Sequence, residues 1–105
     1  MDWDLVLDDD ECGPLNMARD EHLLRRAIVT GRPSLRLYGW ERLTLSLGRA
    51  QKLDGRIDRA ACHAMGLPML RRSTGGQAVL HGQDLTYAVA APLAASAGAT
   101  PAPPV

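Results

Sequence analysis

The stretch RRSTGGQAVLHG, residues 71–82, brings two arginines, a small polar turn with adjacent glycines and a histidine into one short segment. A guanidinium fork matches a carboxylate or a phosphate. Glycines without a β-carbon let backbone N–H groups approach an anion closely, as in a phosphate-cradling nest. Arginine, glycine pair and histidine together suit the phosphate and carboxylate of an acyl-adenylate. Side chains alternate along an extended segment. Leu70 and Arg72 therefore share one side and Met69 and Arg71 the other, so one arginine enters a site while its neighbour pairs elsewhere, with a carboxylate such as Asp20 or at the surface. On the following strand Val79 and His81 fall on one face, Ala78 and Leu80 on the other. Composition and spacing alone favour a plain hairpin with solvated arginines, because glycine-rich turns are common. A P-loop is excluded, since no G-K-[ST] follows the glycines, and so is a G-x-G-x-x-G dinucleotide turn.

The flanking segments must position this stretch. Trp3 to Leu7 is an apolar run ahead of Asp8, Asp9, Asp10 and Glu11, and reads as a strand entering a turn at Gly13-Pro14. NMARDEHLLRRAIVTGRP carries helix punctuation: Asn16 as cap, Asp20 and Glu21 early, Arg25 and Arg26 late, Gly31 and Pro33 as the stop. Met17, Leu24, Ala27 and Ile28 share one helical face. Asp20 projects into that arc, where a carboxylate needs either an arginine from elsewhere in the chain or a place at the wet rim.

SLRLYGW and TLSLG alternate as half-buried strands joined by a short turn near Glu41 and Arg42. A second helix is predicted over Ile57 to Met65, begun by Asp54 or Asp58 and ended by Gly66 and Pro68. Its small residues Ala60, Ala61 and Ala64, with Ile57, suit close packing on a sheet. Three more strands follow: Met69 to Arg72, Gln77 to His81 and Leu85 to Ala90. The order β-α-β-β-α-β-β-β, with hairpins predominating, predicts an α+β fold over residues 1–92. The alanine- and proline-rich segment 93–105 reads as a disordered tail.

The bulk numbers bound the function. The chain has 105 residues, one domain's worth, and its 46% hydrophobic content supports a core. A formal net charge of zero argues against broad basic surfaces for nucleic acid or anionic lipid. Lys52 is the only lysine, and every other cationic side chain is an arginine. Cys12 and Cys62 lack metal-ligand spacing and read as structural thiols, while His22 and His63 read as ordinary helix positions. The acidic start carries no secretion signal and no run reaches membrane-span length, so a cytoplasmic protein is expected.

RRSTGGQAVLHGQDLTYAV resembles the signature of the lipoate–protein ligase and octanoyltransferase family, related to biotin–protein ligases. NMARDEHLL resembles its first helix, LRLYGWERLTLSLGRAQ its strand–turn–strand segment, and ACHAMGLPMLRRSTGG the helix leading into its glycine loop. These blocks run in the family's order from about Asn16 to Pro92. The resemblance implies a mixed, largely antiparallel sheet flanked by helices, like the catalytic domain of class II aminoacyl-tRNA synthetases. It implies lipoyl or octanoyl groups as ligands, ATP in the ligase branch, and acyl carrier protein as an octanoyl donor in the transferase branch. Implied acceptors are lipoyl carrier domains of 2-oxoacid dehydrogenase E2 subunits and the glycine cleavage H protein. By position, Arg72 meets the nucleotide or acyl carboxyl region, and Gly75, Gly76, Gln77, Ala78, Val79 and Leu80 wrap the adenylate or acyl chain. His81 ends that motif, and Tyr38, Trp40, Arg49 and Gln51 border the acyl pocket. Gln77 stands where the ligases carry a third glycine, which is similar to the octanoyltransferase branch.

The family's essential lysine or nucleophilic cysteine lies downstream of the glycine loop, and neither Lys52, Cys12 nor Cys62 matches it. No catalytic residue is therefore assigned. A sheet cut midway leaves unpaired edges and exposed apolar surface. The expectation is an incomplete acyltransferase or ligase, inactive alone. The alternatives are one half of a split enzyme awaiting a C-terminal partner chain, or a non-catalytic module that binds acyl groups or lipoyl domains.

Overall fold

The computed structural model of the chain describes residues 2–92. Its elements are β1 (Asp4–Glu11), α1 (Gly13–Thr30), β2 (Ser34–Trp40), β3 (Thr44–Leu47), α2 (Arg59–Ala64), β4 (Met69–Arg71), β5 (Val79–His81) and β6 (Thr86–Ala90). The order is the one read from the sequence; the pairing is not. Two three-stranded sheets form, β1-β2-β6 and β4-β3-β5. In each, a helix crosses between two parallel strands and a third strand pairs antiparallel with the central one. No consecutive strands among the described residues form a hairpin. β2 and β3 cannot share an edge, because each is already paired on both sides as the centre of its sheet. The fold is α+β with mixed sheets, two pairings parallel and two antiparallel. The segment 93–105, expected as a tail, lies outside the described residues.

The acidic cluster that suggested a turn is the second half of β1. Arginines of α1 and β2 pair with its Asp8 and Glu11, and arginines of α1 and the following loop pair with Asp4 at the start of the strand. Asp4 accepts from Arg26 and Arg32, Asp8 accepts from Arg36 at 2.6 Å, and Arg19 lies between Asp8 and Glu11. A register shift between Leu7 and Asp10 lets β1 continue past that point.

α1 starts four residues earlier than the capping pattern indicates, with Pro14 in its first turn and Cys12 at the cap position. Asn16 is instead wholly buried, donating to the carbonyls of Gly39 and Glu11. Gly31 ends the helix as expected, at φ 74°, a left-handed conformation that glycine adopts without strain. Leu23 and Ala27 pack with Ala90 and Val6 in the apolar core, whereas Leu24 is partly exposed and Ile28 points to solvent. The buried helix face is thus rotated by one residue from the expected one. α2 is shorter than expected, is capped by Asp58, and buries none of its residues, so its alanine face covers nothing among the described residues.

β2 alternates as read, but the polar phase lies inside. Ser34, Arg36, Tyr38 and Trp40 are buried, while Leu35 and Leu37 are half-exposed. Arg36 has no exposed side-chain surface and holds this arrangement together. It donates to Asp8, to Asp20 at 2.8 Å, and to both the carbonyl and side-chain oxygens of Asn16. It also lies 3.8 Å over the Tyr38 ring. The arginine that Asp20 requires is therefore Arg36. On the opposite sheet face the register aligns Leu5, Leu35 and Val89 in one row and Leu7, Leu37 and Tyr87 in the next. Leu7 is 68% exposed and Tyr87 70%, so this apolar face has no cover among the described residues.

Two outcomes follow. Arg36→Met leaves the Asp8 and Asp20 carboxylates facing a nonpolar side chain, and about 3 kcal/mol of stability is lost in denaturant titration, the lower end for breaking a buried ion pair, because both carboxylates keep roughly a fifth of their surface exposed. Hydrogen bonds from Arg32 and then Arg26 hold the Asp4 carboxyl at about 2, below its ordinary 3.8. The unfolded chain thus takes up this proton first as pH falls. The contribution is complete above about pH 3.8 and lost as the pH falls through about 2. Asp4→Asn flattens the acid limb of stability against pH in that window.

Candidate functional site

A cleft of about 240 Å³ opens where the two sheets meet. α1 contributes Met17, Asp20, Leu23 and Leu24 to its wall, β2 contributes Tyr38 and Trp40, and β6 contributes Thr86 to Ala90. The remaining wall comes from Arg72, Ser73, Thr74 and His81. Most of this lining is apolar, and the volume lies just below the span of about 300–1,000 Å³ usual for small-molecule sites.

Of the residues singled out in the sequence, Arg72, His81, Tyr38 and Trp40 line the cleft. Gly75, Gly76, Gln77, Ala78, Val79 and Leu80 do not. Arg49 and Gln51 follow the end of β3 rather than standing in the strand, and Gln51 and Gln77 instead border a separate polar hollow with Lys52. The two arginines diverge as alternation requires. Arg71 donates to the carbonyls of Gly48 and Gln51, each at 2.7 Å, and ties down the segment after β3. Arg72 turns to the cleft.

The glycine turn is exposed, and Arg72 organises it from below. One guanidinium nitrogen donates to the Ser46 carbonyl at 3.0 Å and its hydroxyl at 2.7 Å. The other donates to the carbonyls of Gly75 at 2.9 Å and Gln77 at 3.0 Å. The turn therefore directs carbonyl oxygens, not amides, at the guanidinium. Gly76 has φ 101°, which a residue with a side chain rarely adopts. Among the described residues no carboxylate lies within ion-pair distance of Arg72, so its charge is met by neutral dipoles alone.

His81 is nearly buried and stacks on the Trp40 ring at 4.1 Å between centroids, with 14° between planes. Its Nε2 is 2.7 Å from the Ser46 hydroxyl and its Nδ1 is 2.9 Å from the Asp84 carboxylate. Asp84 also accepts from the Gly82 amide and from Thr86, whose hydroxyl in turn accepts from the Trp40 indole at 2.9 Å. Burial raises the Asp84 pKa, but the hydrogen bonds from His81, Gly82 and Thr86 outweigh it and hold the carboxyl at about 2. Burial pushes the Tyr38 phenol well above its ordinary range, and its hydrogen bond to Asp20 adds to this, so it stays a donor.

Ser46, Asp84, Thr86 and Gly48 escaped the reading of the sequence. Asp84 follows His81 by three residues, a spacing at which a turn can bring a carboxylate onto an imidazole. Ser46 sits in the polar phase of an alternating strand and carried no signal of its own. Gly48 is legible only in three dimensions: a β-carbon there would meet the Gly76 carbonyl oxygen at 1.9 Å. The two free cysteines are half-buried, His22 and His63 are exposed, and among the described residues no cluster could hold a metal ion.

An α+β domain with an apolar cleft headed by one guanidinium can hold a short aliphatic chain by its polar end. The comparisons with known proteins bear on this. Residues 13–100 match the lipoyl protein ligase A/B catalytic domain. The chain belongs to this family. It is 50% identical over 78 residues to octanoyltransferase LipM of Carboxydothermus hydrogenoformans, covering 73% of this chain and 29% of that protein. It is similar to a bi-partite lipoate protein ligase from Thermoplasma acidophilum, described with its E2 lipoyl domain, at TM-score 0.70 and 30% identity over 85% of this chain and 35% of that one. The same score and identity relate it to a lipoate-protein ligase A bound with ATP, over 85% of this chain and 36% of that one. The chain thus spans about a third of the length of these proteins.

Gly48→Ala forces the glycine turn away from β3. The hydrogen bond from the Arg49 amide to the Thr74 carbonyl, 2.8 Å, is then lost. Hydrogen–deuterium exchange at Arg49 rises at least tenfold while amides of β1 and β2 keep their protection.

Proposed function

We propose that the cleft holds the carbonyl end and proximal chain of an octanoyl or lipoyl group, with Arg72 at the polar head. The chain is then the acyl-binding part of an enzyme that moves this group to a lysine of a lipoyl carrier domain. The observation that carries the reading is the Arg72 guanidinium, without a carboxylate partner among the described residues, at the wall of a mostly apolar cleft. A buried or half-buried cation without a counter-ion is costly unless a bound anion or strong dipole completes it. An acyl carbonyl beside the guanidinium supplies that dipole, and the walls from α1 and β6 take the methylenes, each worth about 0.8 kcal/mol when buried.

In the transfer itself the acyl carbon leaves a thioester sulfur for the lysine amine. An amide forms, the carbon–sulfur bond breaks, and the departing thiolate takes up the proton lost by the amine. Arg72 would stabilise charge on the carbonyl oxygen as that exchange proceeds. The family resemblance places the nucleophilic cysteine or essential lysine beyond the glycine loop, and the sequence has no cysteine after Cys62 and no lysine after Lys52. The chain alone binds and does not transfer. Gln77 in place of a third glycine, together with the octanoyltransferase relative, supports a thioester donor such as acylated carrier protein over ATP. No helix among the described residues is long and apolar enough to cross a membrane.

A second reading rests on the uncovered sheet face around Leu7 and Tyr87, and on the bi-partite ligase among the similar structures. Here the chain is one half of a two-chain enzyme, and its partner covers that face and brings the missing residue. A separate acyl-binding module without any transfer role is the remaining alternative.

Calorimetric titration with octanoate, lipoate and ATP tests the main reading. Octanoate or lipoate gives saturable heat, and Arg72→Ala weakens binding at least tenfold, about 1.4 kcal/mol, whereas Arg49→Ala, outside the cleft, leaves it unchanged. Equal affinity in Arg72→Ala removes Arg72 from the head site and the reading with it.

A further inference from the structure

Ser46, His81 and Asp84 stand in the order of a hydrolase triad, with Oγ to Nε2 at 2.7 Å and Nδ1 to Oδ2 at 2.9 Å. Ser46 is nevertheless not a nucleophile. It has no accessible surface, it does not line the cleft, and Arg72 donates into its hydroxyl oxygen. An acyl carbon has no path to it.

What the geometry does determine is the direction of every hydrogen bond in the chain. Arg72 can only donate. The Asp84 carboxylate can only accept, and it faces three donors: the Gly82 amide at 2.8 Å, the Thr86 hydroxyl at 2.8 Å and His81 Nδ1. Nδ1 of His81 therefore carries the hydrogen, and Nε2 of the neutral ring is an acceptor. The Ser46 hydroxyl must donate to Nε2 while accepting from Arg72. The reverse tautomer would aim two donors at one serine oxygen and leave its hydrogen without an acceptor in a fully buried place.

We propose that Asp84 is a positioning residue: through the Nδ1–H tautomer of His81 and the hydroxyl of Ser46, it holds the Arg72 guanidinium in place at the cleft. The Thr86 hydroxyl, between Asp84 and the Trp40 indole, fixes the plane on which the His81 ring stacks. Asp84 thus sets both the tautomer and the tilt of the imidazole. Its effect on ligands rests on the acyl reading of the cleft; the tautomer does not.

Asp84→Asn discriminates, because its amide cannot be turned to suit both neighbours. The Gly82 amide donates to Oδ1, so the asparagine oxygen must stand there, and the NH2 group then faces His81 Nδ1. The opposite flip sets NH2 against N–H. Nδ1 must become the acceptor, the hydrogen moves to Nε2, and the Ser46 hydroxyl is displaced.

The test uses the full chain, labelled with ¹⁵N at histidine and recorded with the ring neutral. The wild type shows His81 with its hydrogen on Nδ1, and Asp84→Asn shows it on Nε2. A wild-type hydrogen on Nε2 overturns the proposal by itself, even where the variant does not fold, and so does an unchanged tautomer in a folded variant. Octanoate titration supplies the second arm. Asp84→Asn weakens binding about tenfold, and adding it to Arg72→Ala weakens binding no further, since both act through the same guanidinium. Full additivity, or unchanged affinity despite a switched tautomer, overturns the positioning role while leaving the acyl site standing. Octanoate that binds neither protein removes the acyl reading, and the pair of spectra still decides the relay.

Discussion

One buried guanidinium ties the first half of this molecule together. Arg36 reaches from the central strand of one sheet to Asp8 on its parallel neighbour and to Asn16 and Asp20 on the crossing helix. A buried charge is tolerable only when it is paired and its donors are filled. Meeting that condition requires β1, α1 and β2 to assemble in one relative placement. Asp20 is held there as an acceptor for the Tyr38 hydroxyl, and Tyr38 and Trp40 are presented to the cleft as a consequence. The floor of the site is therefore set by a polar network, while the strictly apolar core is small: Leu23, Ala27 and Ala90 with Val6 against them.

The second sheet repeats the plan with different chemistry. Ser46 and Thr44 are buried on its central strand, and Arg72, just past β4, and His81 of β5 converge on Ser46 from either side. The two networks meet at the cleft through the stacked rings of Trp40 and His81. The glycine turn caps this junction, held by Arg72 from within, and Gly48 gives it room. Such a site draws its rigidity from hydrogen-bond direction more than from packing, which is why a single carboxylate, Asp84, can influence a guanidinium two residues removed in the chain of contacts.

The exposed rows of Leu5, Leu7, Tyr87 and Val89 belong to the same logic. Among the described residues this sheet has one face under a helix and the other bare, half of a layered architecture. The chain spans about a third of the length of the family members it resembles. Among the described residues, the uncovered apolar face goes with that short span.

Local chemistry made the element order, the helix stop at Gly31 and the divergence of Arg71 from Arg72 readable from the residues alone. Each depends on periodicity, turn propensity or side-chain alternation within a few positions. The sheet pairing, the buried polar phase of β2, the role of Asn16 and the Ser46–His81–Asp84 chain depended on tertiary structure. These rest on which strands take the central places and on the pairing of charges up to 28 positions apart, as Arg36 with Asp8. A propensity read within a short window cannot weigh the cost of burying a charge against a partner that only the folded chain brings near.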